Sequence, residues 1–224
     1  MVPTVPHPRR PLDRSDPVRR WYENELGWAT VPGTPLQLVT GLRFDVLDVP
    51  AEAGYAALRH LGPGSPVVLH GGHGARAGRM RFLVAAGSAD ELPGLLDWLE
   101  WGALTLDIGA IGAGGSIEAP RPPGRAGITP PPGLGVSQGA GGGEAEFREA
   151  HGEASPQGAA VWLRPPEPGC EVESSLPSMS ALPELPAVGG VGGAPDLVRL
   201  VDTMATQCHR VRLRRVSAQP LAFS

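Results

Sequence analysis

The sequence predicts an α/β (α+β) domain, a mixed sheet with flanking helices, together with a Pro/Gly-rich flexible insertion and tails. Three observations carry this expectation. Strand-like runs alternate with helix-spaced apolar segments between residues 16 and 120, the pattern that packs helices on a sheet. The 224 residues include 32 Gly and 26 Pro, roughly twice the usual share. That excludes a bundle of long helices, because an interior Gly or Pro costs about 1 or 3 kcal/mol of helix. Hydrophobic residues still make up 41 %, enough for a core in a domain of about 140–150 residues.

Taken in order, residues 1–15 form a Pro- and Arg-rich arm expected to be disordered. Asp16-Pro17 reads as a helix N-cap followed by proline at the first helical position, and Val18, Trp21, Tyr22 and Leu26 recur at helical spacing up to Gly27. A short strand from Trp28 to Val31 runs into the turn Pro32-Gly33. Phe44–Val49 reads as a buried strand, and Pro50 opens a helix through Tyr55, Leu58 and Leu61. Strands follow at Pro66–Leu69 and Arg79–Ala85. Ser88 and Glu91 have the spacing of a capping box before a helix carrying Leu92, Leu95, Leu96 and Leu99. Ala103–Ile108 reads as another strand, with Ser116–Pro120 beyond it.

The composition then changes. Residues 121–157 have little to bury and read as a flexible insertion, after which Ala159–Leu163 is strand-like and closes a domain spanning 16–165. Residues 166–194 read as a linker. A helix over 195–215 places Leu197, Leu200, Val201, Met204 and Cys208 on one face, and 216–224 is a tail.

Cys170 and Cys208 lie far apart and outside any C-x-x-C spacing, which argues against a disulfide scaffold and a structural zinc site. No apolar run reaches membrane-span length and no secretory leader is visible, so a cytoplasmic chain with no membrane association is expected. All 19 basic residues are Arg, the mark of a coding bias. The net charge of −4 is unevenly spread: residues 1–20 carry +3, residues 207–224 carry +4, and the body is acidic. Basic ends can grip a polyanion, but the commoner reading is solvated tails that keep the protein soluble.

Two carboxylates stand at the ends of expected strands, Asp48 and Asp107. Such a pair can hold a divalent cation, though the commoner reading is that each simply caps or turns the chain. The stretch His70–Arg81 combines glycines with Arg76, Arg79 and Arg81, a combination that suits phosphate and also suits a plain hairpin connection. His70 and His73 lack a third ligand at metal spacing.

Read in order, these segments resemble the primase–polymerase domain of the archaeo-eukaryotic primase superfamily, in the branch of bifunctional DNA primase/polymerase N-terminal domains. Glu25–Gly33 resembles its helix-to-strand entry and Leu38–Gly41 its Ala-Thr-Gly turn. Val46–Pro50 stands where the family has its first acidic pair, Gly78–Phe82 where it has Gly-x-His, and Leu106–Gly109 with Gly114–Pro120 where it has its later acidic strand and Gly-Gly continuation. Gly158–Pro165 resembles its closing strand. The resemblance implies a nucleotidyltransferase fold using Mg²⁺ or Mn²⁺ on Asp48 and Asp107, with Arg76, Arg79 and Arg81 toward nucleotide or nucleic acid. It departs at two places: Pro50 replaces the second acid and Met80 the nucleotide-contacting His.

The expectation is therefore a catalytically degenerate primase–polymerase-like domain that binds single-stranded DNA or nucleotide, or regulates. Two alternatives stand beside it. One is an active DNA primase/polymerase with a non-standard metal site. The other is a protein-interaction module docking a partner through the C-terminal helix.

Overall fold

A computed structural model describes residues 16–62, 64–71, 78–123, 160–167, 172–179 and 196–217. The arm at 1–15, Arg76 and His73, most of the insertion, the tail beyond 217 and much of the 166–194 span lie outside these described residues. In chain order the elements are α1 (Pro17–Arg20), β1 (Thr30–Val31), β2 (Gln37–Val39), β3 (Phe44–Pro50), α2 (Ala51–Leu58), β4 (Val67–His70), β5 (Arg79–Ala85), α3 (Ser88–Trp98), β6 (Gly109–Ile111), β7 (Ser116–Glu118), β8 (Val161–Arg164) and α4 (Leu197–Ser217).

The Asp16 carboxylate accepts from the Val18 N–H at 2.9 Å, so α1 starts on its expected cap. It continues into a π turn, Trp21–Glu25, that buries Trp21 and Tyr22. Strands β1, β2 and β7 form a small sheet in that order. The main sheet has the order β6-β3-β5-β4-β8. Its first four strands belong to a β-α-β-β-α-β run in which β5 lies between β3 and β4, antiparallel to both. Among the described residues every strand pair is antiparallel, so the expected mixed sheet is corrected to two antiparallel sheets. The cause is the split crossover: the strand that would pair in parallel with β3 is displaced by β5.

The two-residue period of each strand divides the core. Leu47, Val49, Met80, Phe82 and Val84 face α2, α3 and α4. Phe44, Val46, Val68, Leu83 and Trp162 face the small sheet and the N-terminal segment. Trp28 packs on Phe44 with ring centroids 4.6 Å apart. The Tyr22 hydroxyl donates to the Pro120 carbonyl at 2.7 Å and accepts from Trp162 Nε1 at 3.0 Å. One phenol thus joins the N-terminal turn to both flanks of residues 121–159.

Three local expectations change. The capping box at Ser88 and Glu91 is absent: Gly87 is the N-cap, Ser88 is buried, and the Asp45 carboxylate accepts from Gly87 N at 2.8 Å and Ala89 N at 2.9 Å. A charge from β3 satisfies this helix start, which no local pattern announces. Ala103–Ile108 is not a strand. Its backbone closes turns on itself (Leu104 N to Trp101 O and Leu106 N to Leu104 O, both 3.0 Å), and β6 begins at Gly109 opposite Asp48. Within the span read as a linker, Val172 and Leu176 are buried.

Helix α4 starts on Asp196, whose carboxylate accepts from Val198 N at 2.8 Å. Leu197, Leu200, Val201, Met204 and Cys208 are all buried, as the periodicity predicts. This apolar face is covered by the chain's own core, alongside Ala53, Ala57, Leu92 and Leu95. Leu213 and Val216, near the end of the helix, are exposed.

Candidate functional site

Asp48 lies toward the end of β3 on the face away from the helices. Its cross-strand neighbours are Arg81 on β5 and Gly109 on β6, while Arg79 stands opposite Pro50. This register brings together four of the residues singled out from the sequence. Arg79 Nε donates to Asp48 Oδ1 at 2.8 Å, its Nη2 to the Asp48 carbonyl at 3.1 Å, and its Nη1 to Asp107 Oδ1 at 2.5 Å. One guanidinium reaches from β5 across β3 to the segment that enters β6. Burial opposes the Arg79 charge, but its bonds to Asp107 and Asp48 outweigh it and raise its pKa.

Arg81 sits behind this pair, with Nε 3.6 Å from Asp48 Oδ2, too far for a hydrogen bond. That Nε and His70 Nδ1 are buried atoms with no hydrogen-bond partner. His70 is on β4 opposite Arg79, with Nδ1 3.6 Å from Glu118 Oε2. Glu118, which no sequence motif singles out, also accepts from Ala160 N at 3.2 Å. Only the register of β4 and the placement of β7 reveal its role.

Burial lowers the His70 pKa, helped by Arg81 and opposed by Glu118 and Asp48. The unfolded chain therefore binds this proton more tightly than the folded one. The resulting stability is complete above the ordinary value of 6.5 and declines as pH falls from there toward the folded pKa. Urea midpoints at pH 7.5 and 5.5 should differ more for the natural chain than for His70→Gln; equal differences would show that His70 contributes nothing.

Met80 corrects the correspondence drawn from the resemblance. It is fully buried on the helical face, beside α2, while Arg79 and Arg81 on either side point to the face that carries Asp48. A histidine at position 80 would face the core, away from both acids. Met80 is a packing residue.

A second arginine group borders the site. The last turns of α4 bring Arg210, Arg212, Arg214 and Arg215 to the surface. Arg212 Nη1 donates to the Thr105 carbonyl at 2.8 Å, and Cys208 Sγ lies 3.6 Å from the Asp107 carbonyl. Between α4 and the Asp107 segment lies a cleft of about 290 Å³. The Cys208 thiol at its base is pushed up to about 12 by burial and by Asp107, so it stays protonated. The sequence marks this basic end as a charged tail; its proximity to Asp107 is a product of long-range packing.

The fit to Mg²⁺ or Mn²⁺ is poor. Asp48 and Asp107 are both engaged by Arg79, and among the described residues no group of three or more His, Cys, Asp or Glu side chains gathers to hold a metal. Divalent cations want more oxygen ligands than this arrangement offers.

Comparison with known proteins leaves the geometry to stand alone. No protein-family model matches this chain, and neither the curated proteins nor the solved structures contain a match to it.

Proposed function

We propose that this chain is a primase–polymerase-like domain without nucleotidyl transfer, which binds nucleotide or single-stranded nucleic acid through arginine. One observation carries the reading: the Arg79 guanidinium bridges Asp48 and Asp107. Nucleotidyl transfer needs carboxylates that hold metal ions against the attacking and leaving oxygens. Here a guanidinium of single charge is bonded to both carboxylates, and it offers a triphosphate no open coordination position.

The binding half draws on the neighbouring arginines. Arg210, Arg212, Arg214 and Arg215 lie within one and a half turns of α4, and their acidic neighbour is Glu52, 3.2 Å from Arg214 and 4.0 Å from Arg215. Guanidinium forks match phosphate oxygens, and Arg212 and Arg215 share a cleft with Asp107, to which Arg79 is bonded. The β-α-β-β-α-β topology agrees with the reading but serves many functions, so it adds little.

A fluorescence titration with labelled single-stranded DNA at two salt concentrations tests this. Contacts to three or four phosphates predict a log–log salt slope of roughly −2 to −3. Arg210→Gln combined with Arg214→Gln should flatten it. Absence of binding at low salt, or binding that ignores salt, removes the nucleic-acid reading. Primer extension with Mg²⁺ and Mn²⁺ should give no product; extension abolished by Asp48→Asn would restore the enzyme.

A further inference from the structure

The cleft between α4 and the Asp107 segment has a composition of its own. Arg212 and Arg215, three residues apart on one helix face, form one wall, and Asp107 stands on another. Pro50, Val211 and Val216 supply apolar surface between them. Arg212 is steadied by its bond to the Thr105 carbonyl, which uses only one of its donors. Arg215 lies at the 4.0 Å limit of its contact with Glu52. Asp107 gives one oxygen to Arg79 and keeps the other as an acceptor.

From this arrangement we infer that the cleft is a site for one nucleoside phosphate unit. The phosphate lies between Arg212 and Arg215, a sugar hydroxyl donates to the outer oxygen of Asp107, and the base or sugar face rests on Val216 and Pro50. Each part follows from the chemistry of its wall. Paired guanidiniums recognise the oxygens of a phosphate group. A carboxylate beside them repels a second phosphate and favours a hydroxyl donor. The volume, about 290 Å³, lies just below the roughly 300–1,000 Å³ of small-molecule sites and suits one unit better than two. The inference rests on the nucleotide-binding reading above and specifies where the unit sits. The unit is either a free mononucleotide or one residue of a strand.

Calorimetric titration of the full chain at low salt separates the outcomes, with AMP, adenosine, inorganic phosphate and a ten-residue oligothymidylate as probes. AMP should bind at least tenfold more tightly than adenosine or phosphate. Arg212→Gln with Arg215→Gln should weaken AMP at least tenfold. Val216→Trp should do the same by filling the cleft; it removes no charge and changes only an exposed side chain, so melting temperature should stay unchanged. If the oligonucleotide binds and AMP does not, an at least tenfold loss on Val216→Trp assigns the cleft to a strand residue. Equal affinity for phosphate and AMP would overturn the nucleoside part. Oligonucleotide binding untouched by Val216→Trp, with no AMP binding, would overturn the cleft while leaving the general reading intact. Loss of all binding by the natural chain would remove both.

Discussion

Arg79→Ala should destabilise the domain by about 1–3 kcal/mol, below the cost of breaking a fully buried ion pair because the Arg79 side chain is 34 % and that of Asp107 56 % exposed. Arg79 makes three hydrogen bonds that draw β5, β3 and the entry to β6 together. Without it, Asp48, whose side chain is 16 % exposed, faces Asp107 with only the more distant Arg81 to offset it. β6 pairs with β3 over just three residues, so this staple matters most at that edge. Arg79→Lys should recover under half of the loss, because an ammonium cannot present the planar fork that reaches both acids at once. Urea denaturation of both variants measures this. A loss below about 0.5 kcal/mol, the level of an ordinary exposed ion pair, would show that the bridge is a surface contact and would remove its claim on Asp48 and Asp107.

Gly41→Ala is expected to be as severe for a different reason. Gly41 has φ of +86°, and a Cβ there would stand 2.3 Å from Ala113 Cα and 2.7 Å from Ala113 N. Both obstacles are backbone, so no side chain can swing aside. The position is fixed from three directions: Thr40 Oγ1 donates to the Gly112 carbonyl at 2.6 Å, Thr40 N to the Gly115 carbonyl at 3.1 Å, and Gly41 N to the Phe44 carbonyl at 2.9 Å. The left-handed conformation costs about 1–2 kcal/mol for a residue with a Cβ, and forced overpacking adds about 1–3 kcal/mol. A total near 3 kcal/mol should lower the melting temperature by roughly 6–12 °C in a domain of this size. An unchanged melting temperature would show that the turn can move away from the Gly112–Gly115 loop.

Much of this arrangement could be read from local pattern. Phe44–Pro50 and Arg79–Ala85 form the central strands, and the five apolar residues of α4 face the core as their spacing requires. Asp48, Arg79, Arg81 and Asp107 could each be singled out. Their partnership could not, because strand register depends on pairing across more than thirty residues of chain, which leaves no local trace. Met80 is instructive in the opposite sense. Alternation along β5 already places it on the face away from Arg79 and Arg81, so parity alone could have shown that position 80 does not look toward Asp48. Ser88 and Glu91 mislead because a capping pattern describes only the chain next to a helix. Asp45 reaches that helix start from another strand, and its burial lets one carboxylate serve two N–H groups. Arg212 and Arg215 lie beside Asp107 only because α4 packs across the helical face of the sheet.

The Tyr22 hydroxyl, bonded to Pro120 and to Trp162, has a consequence for chain length. The phenol, with Glu118 holding Ala160 N, ties the two ends of the stretch between Pro120 and Trp162 together and closes a ring of chain on the core. The entropy of closing such a ring rises only logarithmically with its length, by about 0.6 kcal/mol per doubling. A change in length between the two ends therefore costs the fold little as long as the bonds of Tyr22 to Pro120 and Trp162 are kept.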